Sequence, residues 1–228
     1  MITIENVNVY GWETAIRGMR NPMNSWDKSD SRYEVLNKSD VEFGYLPNIE
    51  FVIGENDLKL MHNLAKAGND HGKFARMITV TMDITAPLYW WKEFDTYKIG
   101  TVANSCSTMH KIHSKEFTLD DFSTENLFEY KKVYDNKIHC IPPLELFETT
   151  ITVLNIFRRM YIETKNKDFW WQMIQLLPSS YNQKRTVQMN YQVLANIYKS
   201  RKGHKLDEWQ VFREWCETLP YFVEIYGE

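Results

Sequence analysis

The chain has 228 residues, 43% hydrophobic and 14% aromatic, so it can bury one sizeable core, and we expect a single domain spanning residues 1–228. Its 27 lysines and arginines nearly balance 30 aspartates and glutamates, and a net charge of -3 gives no overall attraction to nucleic acid. No apolar run approaches the roughly 18 residues of a membrane span. Three widely spaced cysteines favour free thiols in a reducing compartment, so we expect a cytoplasmic protein without membrane contact.

The first quarter of the sequence predicts a strand, a polar loop and a helix. Residues 2–9 alternate between apolar and polar side chains, which is typical of a strand. Residues 17–31 are polar and turn-rich and contain two arginines, one of them Arg20. This composition favours a long loop that is either solvated or faces a phosphate or a partner. Asp57 is then expected to cap the helix that follows.

A second strand, an aromatic helix and another loop come next. Residues 74–84 alternate and predict a half-buried strand. Pro87 suits the first turn of a helix, and aromatic residues recur at helical spacing from there towards Lys98. Residues 99–107 are small, polar and turn-forming, so we expect a loop there.

Cys106, His110 and His113 are the candidates for covalent or metal chemistry. Cys106 is either a small buried thiol or a nucleophile with one of the histidines as its base. The two histidines, spaced by three, have no carboxylate or thiol at a suitable spacing to complete a ligand set, so we expect no metal site. Glycine-rich phosphate-binding motifs are absent from the sequence. A flavin or nucleotide would have to be held by side chains and subunit interfaces.

The second half of the sequence is dominated by predicted helices. A proline pair ending at Pro143 precedes a long helix whose apolar stripe can cover both a core and a subunit contact. The stretch from Asn190 to Arg201, which includes Asn196, predicts a helix with polar residues among apolar ones. One broad face of it carries Val187, Asn190, Tyr191, Leu194, Ile197, Tyr198 and Arg201. Such a face can place amides and a guanidinium against a planar ligand. Alternatively, it is a core helix whose Asn and Arg side chains cap neighbouring backbone.

The order of these elements, over roughly residues 58–220, resembles the flavin-dependent thymidylate synthases, the ThyX family. The pattern Asn-x-x-x-Leu-x-Asn-x-x-x-x-Arg, from Asn190 to Arg201, resembles the end of that family. Gln192 stands where the family usually has arginine. An upstream family element, His-x-Ser/Thr-Pro-Phe-Glu-His, survives only in part, at residues 71–76.

The most specific signature of the family is altered in this chain. The family's aromatic helix ends in Arg-His-Arg, where residues 96–98 here are Thr-Tyr-Lys. Its loop reads Ser-x-Asn-Glu-x-Ser-x-Arg. Here Thr101 takes the first serine position, Asn104 the glutamate position, and Cys106 or Ser107 the second serine position, without a closing arginine.

The resemblance implies an α/β fold with a central, mostly antiparallel sheet flanked by long helices, assembled as a homotetramer. It implies FAD and dUMP stacked in sites shared between subunits, with NADPH and methylenetetrahydrofolate as co-substrates. Arg201 would be the catalytic residue that polarises the pyrimidine. The implied substrate contacts are Glu93, Asn104, Cys106, Ser107 and Arg201. The implied cofactor contacts are Tyr97, Lys98, Asn190, Gln192 and Asn196.

Phosphate binding is where the sequence departs most from the resemblance. Forked arginines normally hold a nucleotide phosphate, and here the remaining cations are Lys98, His110, Lys111 and Arg185.

The favoured function is one-carbon transfer to the uracil ring of dUMP or a related nucleotide. The alternatives are an inactive ThyX-fold protein that binds a nucleotide or flavin, and a helical interaction protein whose aromatic stripes form a partner surface.

Overall fold

The computed structural model describes residues 1–35, 46–129 and 141–227, so Cys140 lies outside the described residues. The strands are β1 (Thr3–Tyr10), β2 (Arg32–Val35), β3 (Ile49–Val52), β4 (Thr79–Pro87), β5 (Thr101–Ser105) and β6 (Asn182–Asn190). The helices are α1 (Trp12–Arg20), α2 (Glu55–Lys66), α3 (Leu88–Phe94), α4 (Thr108–Lys111), α5 (Pro143–Thr164), α6 (Lys167–Leu176), α7 (Tyr191–Ser200), α8 (Asp207–Glu217) and α9 (Phe222–Tyr226). In these three ranges, no helix has both the length and the apolar character needed to cross a membrane.

The strands form a four-stranded sheet in the order β1-β4-β6-β5 and an antiparallel hairpin of β2 with β3. An antiparallel sheet accompanied by long helices confirms the predicted α/β class. The chain groups into two compact units. The first unit comprises Met1–Glu5, Asp83–Thr96 and Ala103–Thr186, and the second comprises Asn6–Met82, Tyr97–Val102 and Val187–Glu228. The single domain over residues 1–228 therefore stays a prediction.

The first unit is built around the long helix α5 and its neighbour α6. Pro143 occupies the first turn of α5, where its missing N–H costs no hydrogen bond, and Lys165 ends the helix with a positive φ of 56°. Asn166 caps α6 by accepting a hydrogen bond from the Asp168 N–H over 3.0 Å. The core packed against these helices contains Ile112, Phe117, Phe122, Leu154 and Met173.

The second unit contains a buried ion pair that the sequence did not predict. Asp57 does not cap α2, because the residue before the helix is Gly54 and the Asp57 carboxylate is turned inwards. It accepts hydrogen bonds from Arg20 Nε over 2.6 Å, Ser29 Oγ over 2.7 Å and Ser31 Oγ over 2.6 Å. The predicted cap is wrong, and the Arg20 side chain serves this ion pair instead of facing a phosphate.

Three predicted boundaries also differ from the structure. The expected loop of residues 99–107 is strand β5 as far as Ser105, because backbone pairing with β6 overrides a weak strand propensity. The aromatic helix ends at Phe94 rather than Lys98. The C-terminal helix begins at Tyr191, where Asn190 caps it by accepting from the Val193 N–H over 3.0 Å.

Candidate functional site

A cavity of about 860 Å³ with both polar and apolar walls lies in the first unit, around the end of β5 and the start of β6. Cys106 and Ser107 line it directly after β5, and both are exposed. The backbone explains their placement, since the Cys106 N–H donates to the Lys184 carbonyl over 3.0 Å. Buried Gln183 donates from its amide to the Cys106 carbonyl over 2.9 Å. These bonds present the Cys106 side chain at the cavity edge.

Three lysines and three carboxylates line this cavity, namely Lys111, Lys115, Lys184, Asp120, Asp121 and Glu125. Lys115 pairs with Asp121, and this hydrogen bond raises the pKa of Lys115. Lys184 pairs with Glu5 over 3.0 Å, and that hydrogen bond raises the Lys184 pKa. No carboxylate of the described ranges pairs with Lys111, which also lines the cavity. Lys111 is therefore the cation best placed to meet an incoming anion.

An aromatic ring forms another part of the cavity wall. Tyr181 lines the cavity and packs edge-on against Phe122, with their ring centres 5.6 Å apart. Burial raises the pKa of the Tyr181 phenol, so it stays protonated at neutral pH. The cavity thus offers a cation, hydroxyl groups and an aromatic ring, a combination that suits a phosphorylated, planar ligand.

The two residues after β5 permit a direct test of covalent chemistry. Cys106→Ser should leave ligand binding and turnover within about twofold of the original, because a thiol that only occupies a serine position has no attacking role. Turnover should be measured for Cys106→Ser beside Ser107→Ala, which removes the oxygen that accepts from the His110 N–H over 3.0 Å. A loss of several orders of magnitude in Cys106→Ser would show that the thiolate attacks the substrate. Unchanged turnover in both variants would show that this segment is not the substrate site.

In the second unit, Arg201 is surrounded by aromatic side chains. It follows α7, is half-buried, and donates from Nε to the Tyr97 hydroxyl over 2.8 Å. Its guanidinium carbon lies 4.4 Å from the centre of a Trp209 ring and 5.3 Å from that of Tyr97. Tyr97 also shares a hydrogen bond with Ser200 over 2.9 Å. Arg201 was predicted to point towards a ligand, and the structure shows that its side chain already has two aromatic neighbours.

A smaller cavity of about 280 Å³ in the second unit is lined mainly by polar residues. Arg76, Gln188 and Asn190 line it, together with Gly100 and Thr101. The Thr101 hydroxyl is buried, and no hydrogen-bond partner is found for it within the described chain. A buried hydroxyl without a partner costs about 1–3 kcal/mol, so this group is suited to meet a ligand atom.

The remaining predicted residues have less distinctive surroundings. Glu93 is half-buried in α3, and Asn104 is exposed on β5. Lys98 and Asn196 are exposed, whereas Gln192 is buried and accepts a hydrogen bond from Arg76 Nε. Their ligand contacts stay predictions.

Among the cations considered for phosphate, the structure changes the role of Arg185. Its Nη1 pairs with Asp95 over 2.7 Å, and its guanidinium carbon lies 4.1 Å from the centre of the Trp91 ring. Sequence reasoning missed Lys115, Tyr181 and Lys184 at the first cavity. Lys115 comes from a segment far from Tyr181 and Lys184, and no local pattern marks the three residues as a group.

No group of three or more His, Cys, Asp and Glu side chains is arranged to hold a metal ion in the parts of the chain that the structure describes. Of the two cysteines placed there, Cys106 is exposed and Cys216 is buried. Burial raises the pKa of the Cys216 thiol, which leaves it an inert core group.

Comparison with known proteins defines the fold. No protein-family profile and no curated protein sequence matches this chain. It is similar to thymidylate synthase X (ThyX) from Helicobacter pylori with FAD and dUMP, with a TM-score of 0.66, 14% identity, and coverage of 100% of this chain and 98% of that one. A second structure of the flavin-dependent thymidylate synthase ThyX from Helicobacter pylori, also with FAD and dUMP, gives a TM-score of 0.64, 15% identity and coverage of 99% and 97%.

A further similar structure is the UMP/dUMP methylase PolB from Streptomyces cacaoi bound with 5-Br dUMP. Its TM-score is 0.57 at 15% identity, and the alignment covers 99% of this chain and 94% of that one. At such identities the likeness is one of fold. The chain has an α/β fold of the ThyX type, which confirms the predicted fold class.

Proposed function

We propose that this protein is a divergent ThyX-like flavoprotein of the cytoplasm that transfers a one-carbon unit to the uracil ring of dUMP or a related pyrimidine nucleotide. The observation that carries the proposal is the cavity at the end of β5, with Ser107 and Lys111 on its wall. The ThyX resemblance assigns the segment after β5 to the substrate. Lysine supplies the charge that a phosphate needs, although it lacks the two-pronged grip of arginine.

In the first unit, the chain's own residues would hold the nucleotide. Lys111 and Ser107 would bind the phosphate, and Tyr181 would pack against an apolar face of the ligand. Lys111→Ala should weaken dUMP binding at least about tenfold, because a charge-assisted hydrogen bond is lost. Lys92→Ala, which removes an exposed lysine of α3, is the matched control. Equal affinities of the two variants for dUMP, measured by calorimetry, would show that Lys111 does not bind the nucleotide.

In the second unit, the residues around the small cavity fit the polar edge of a flavin ring. The unpartnered Thr101 hydroxyl and the side-chain amides of Gln188 and Asn190 offer hydrogen-bond donors and acceptors there. Gln192 would fix Arg76, and Asn196 and Lys98 would meet outer parts of the cofactor. When bound, FAD would supply reducing equivalents from NADPH, with methylenetetrahydrofolate as the carbon donor. Arg201 would polarise the pyrimidine carbonyls.

Thr101→Val tests the flavin part of the proposal with two opposite expectations. Removing a buried hydroxyl that has no partner among the described residues should stabilise the ligand-free protein by about 1 kcal/mol, and the same change should weaken FAD binding about fivefold or more. Thermal unfolding and titration of FAD, followed by flavin absorbance, measure the two effects. Unchanged FAD affinity would show that the hydroxyl does not face the cofactor.

The second candidate is a protein of the same fold that binds a nucleotide or flavin without catalysis. The altered Arg-His-Arg segment at residues 96–98 favours it. Binding of FAD and dUMP without thymidylate formation, in the presence of NADPH and methylenetetrahydrofolate, would decide for this candidate.

The proposed assembly is a homotetramer with sites shared between copies. Helices α5 and α6 expose large apolar side chains, as an assembly surface requires. These side chains include Leu146, Ile156, Ile162, Trp171 and Leu176. Light scattering should give about four chains per particle, and Trp171→Glu should lower that number because it buries a charge in the contact. A monomer at micromolar concentration would contradict the shared sites.

A further inference from the structure

We infer that Tyr97 and Trp209 are positioning residues that fix the guanidinium of Arg201 for the pyrimidine, and that Tyr97 is not a ligand of the flavin phosphate or adenine. The inference rests on the proposed role of Arg201. It changes the role of Tyr97 from a cofactor contact to a support for the catalytic cation. A planar cation acts on a ring most effectively when its own orientation is fixed before the ligand arrives.

Trp209 is a rigid support for the cation. Its side chain is fully buried, and its ring packs edge-on against Phe212 with a centre-to-centre distance of 5.8 Å. The Tyr97 ring meets Trp209 in a second edge-on contact at 6.1 Å. With the Arg201 guanidinium carbon 4.4 Å from the centre of a Trp209 ring, a cation–π attraction holds the charge against a ring that cannot rotate freely.

The Tyr97 hydroxyl is committed to the end of α7. It accepts from Arg201 Nε, and its second hydrogen bond is to the Ser200 hydroxyl. A phenol has one donor and two acceptor positions, so these two neighbours use most of its capacity. The resemblance to the ThyX family implied that Tyr97 contacts the cofactor. The geometry instead directs its hydroxyl to the neighbouring arginine.

The main chain of Arg201 is held as well. Its N–H donates to the Ile197 carbonyl over 2.9 Å, and its carbonyl accepts from Gln210 Nε2 over 3.2 Å. Backbone, Nε and guanidinium face are therefore each fixed by a different neighbour. Loss of the Tyr97 hydroxyl should release Nε while leaving the backbone and the Trp209 contact in place.

Tyr97→Phe tests the inference, because it removes one hydroxyl and keeps the ring. Tyr198→Phe is the matched control, since Tyr198 also lies on α7. Its hydroxyl donates a hydrogen bond of 2.6 Å to Glu217 instead of contacting Arg201 Nε. The first readout is the Nε–H signal of Arg201 in nitrogen-15 NMR of the full chain. In Tyr97→Phe, the signal should move and its exchange with water should accelerate about tenfold or more, because the acceptor is lost. In Tyr198→Phe it should not change.

The second readout is steady-state turnover with dUMP as substrate and FAD bound. Tyr97→Phe should lower kcat about tenfold with the KM for dUMP within about twofold, because the misplaced cation weakens only the transition state. An unchanged Nε–H signal would overturn the inference. An unchanged signal with weaker FAD binding would restore Tyr97 as a cofactor contact. A moved signal in a protein that binds neither FAD nor dUMP would refute the proposed function, and with it any positioning of Arg201 for a pyrimidine.

Discussion

Replacing Arg201 with alanine should lower turnover at least about a hundredfold, because a fixed cation aimed at developing charge contributes roughly 3–4 kcal/mol to a transition state. The cost in stability should be smaller, at about 1–2 kcal/mol, since a half-exposed side chain loses its hydrogen bond to Tyr97 and its cation–π contacts with Trp209 and Tyr97. Turnover and denaturant unfolding of the same preparation measure both effects.

Arg213→Ala is the control for the Arg201 experiment. The guanidinium carbon of Arg213 lies 4.4 Å from the centre of the Tyr198 ring, so Arg213 has an aromatic neighbour as Arg201 does. Its Nε donates to the Tyr198 carbonyl over 2.9 Å. Arg213→Ala should lower the free energy of unfolding by a similar amount without a comparable loss of turnover. If Arg201→Ala instead unfolds the protein while the surviving folded fraction binds ligand normally, Arg201 is a structural residue and the catalytic assignment is wrong.

Replacing Asp57 with alanine should destabilise the fold by about 3–5 kcal/mol, because it leaves the Arg20 guanidinium buried without its counter-charge. Two serine hydroxyls, those of Ser29 and Ser31, would lose their acceptor as well. Urea unfolding gives the change in free energy. Asp30→Ala is the matched control, because the Asp30 carboxylate accepts from the backbone N–H groups of Asn56 and Asp57 and pairs with no cation in the part of the chain that the structure describes. An equal loss in both variants would contradict the special role of the buried pair.

The same carboxylate predicts a loss of stability in acid. Burial alone would raise the pKa of Asp57, but hydrogen bonds from Ser31, Ser29 and Arg20 outweigh it and hold the pKa below its ordinary value. A depressed pKa contributes stability above the unfolded value of about 3.9, and this contribution disappears as the pH falls through the folded value. The free energy of unfolding should therefore decline more steeply below about pH 4 in the original protein than in Asp57→Asn.

Local patterns in the sequence predicted most of the fold. The helix after Asn190 was predictable because its periodicity and its capping residue are adjacent along the chain. The long helix α5 was predictable from its apolar stripe and its proline start. The order of elements and the Asn190 to Arg201 pattern then favoured a ThyX-type fold, which the comparison of structures confirms.

Contacts between distant segments limited the prediction of the site. Strand β5 looks like a loop because its residues are small and polar, and only its pairing with β6 makes it a strand. Lys115 and Tyr181 reach one cavity from positions far apart in the chain. Trp209 is fully buried, and its contact with Arg201 depends on how α8 packs after the turn that follows α7.

The visible absorption spectrum of the purified protein, recorded with FAD before and after addition of dUMP, tests the central claim most directly. We predict a protein-bound flavin spectrum that survives gel filtration and shifts when dUMP is added, because the resembled family stacks the two ligands. Thr101→Val should retain less flavin under the same conditions. A protein that retains no flavin and shows no binding of dUMP by calorimetry would contradict the account and leave only the shared fold.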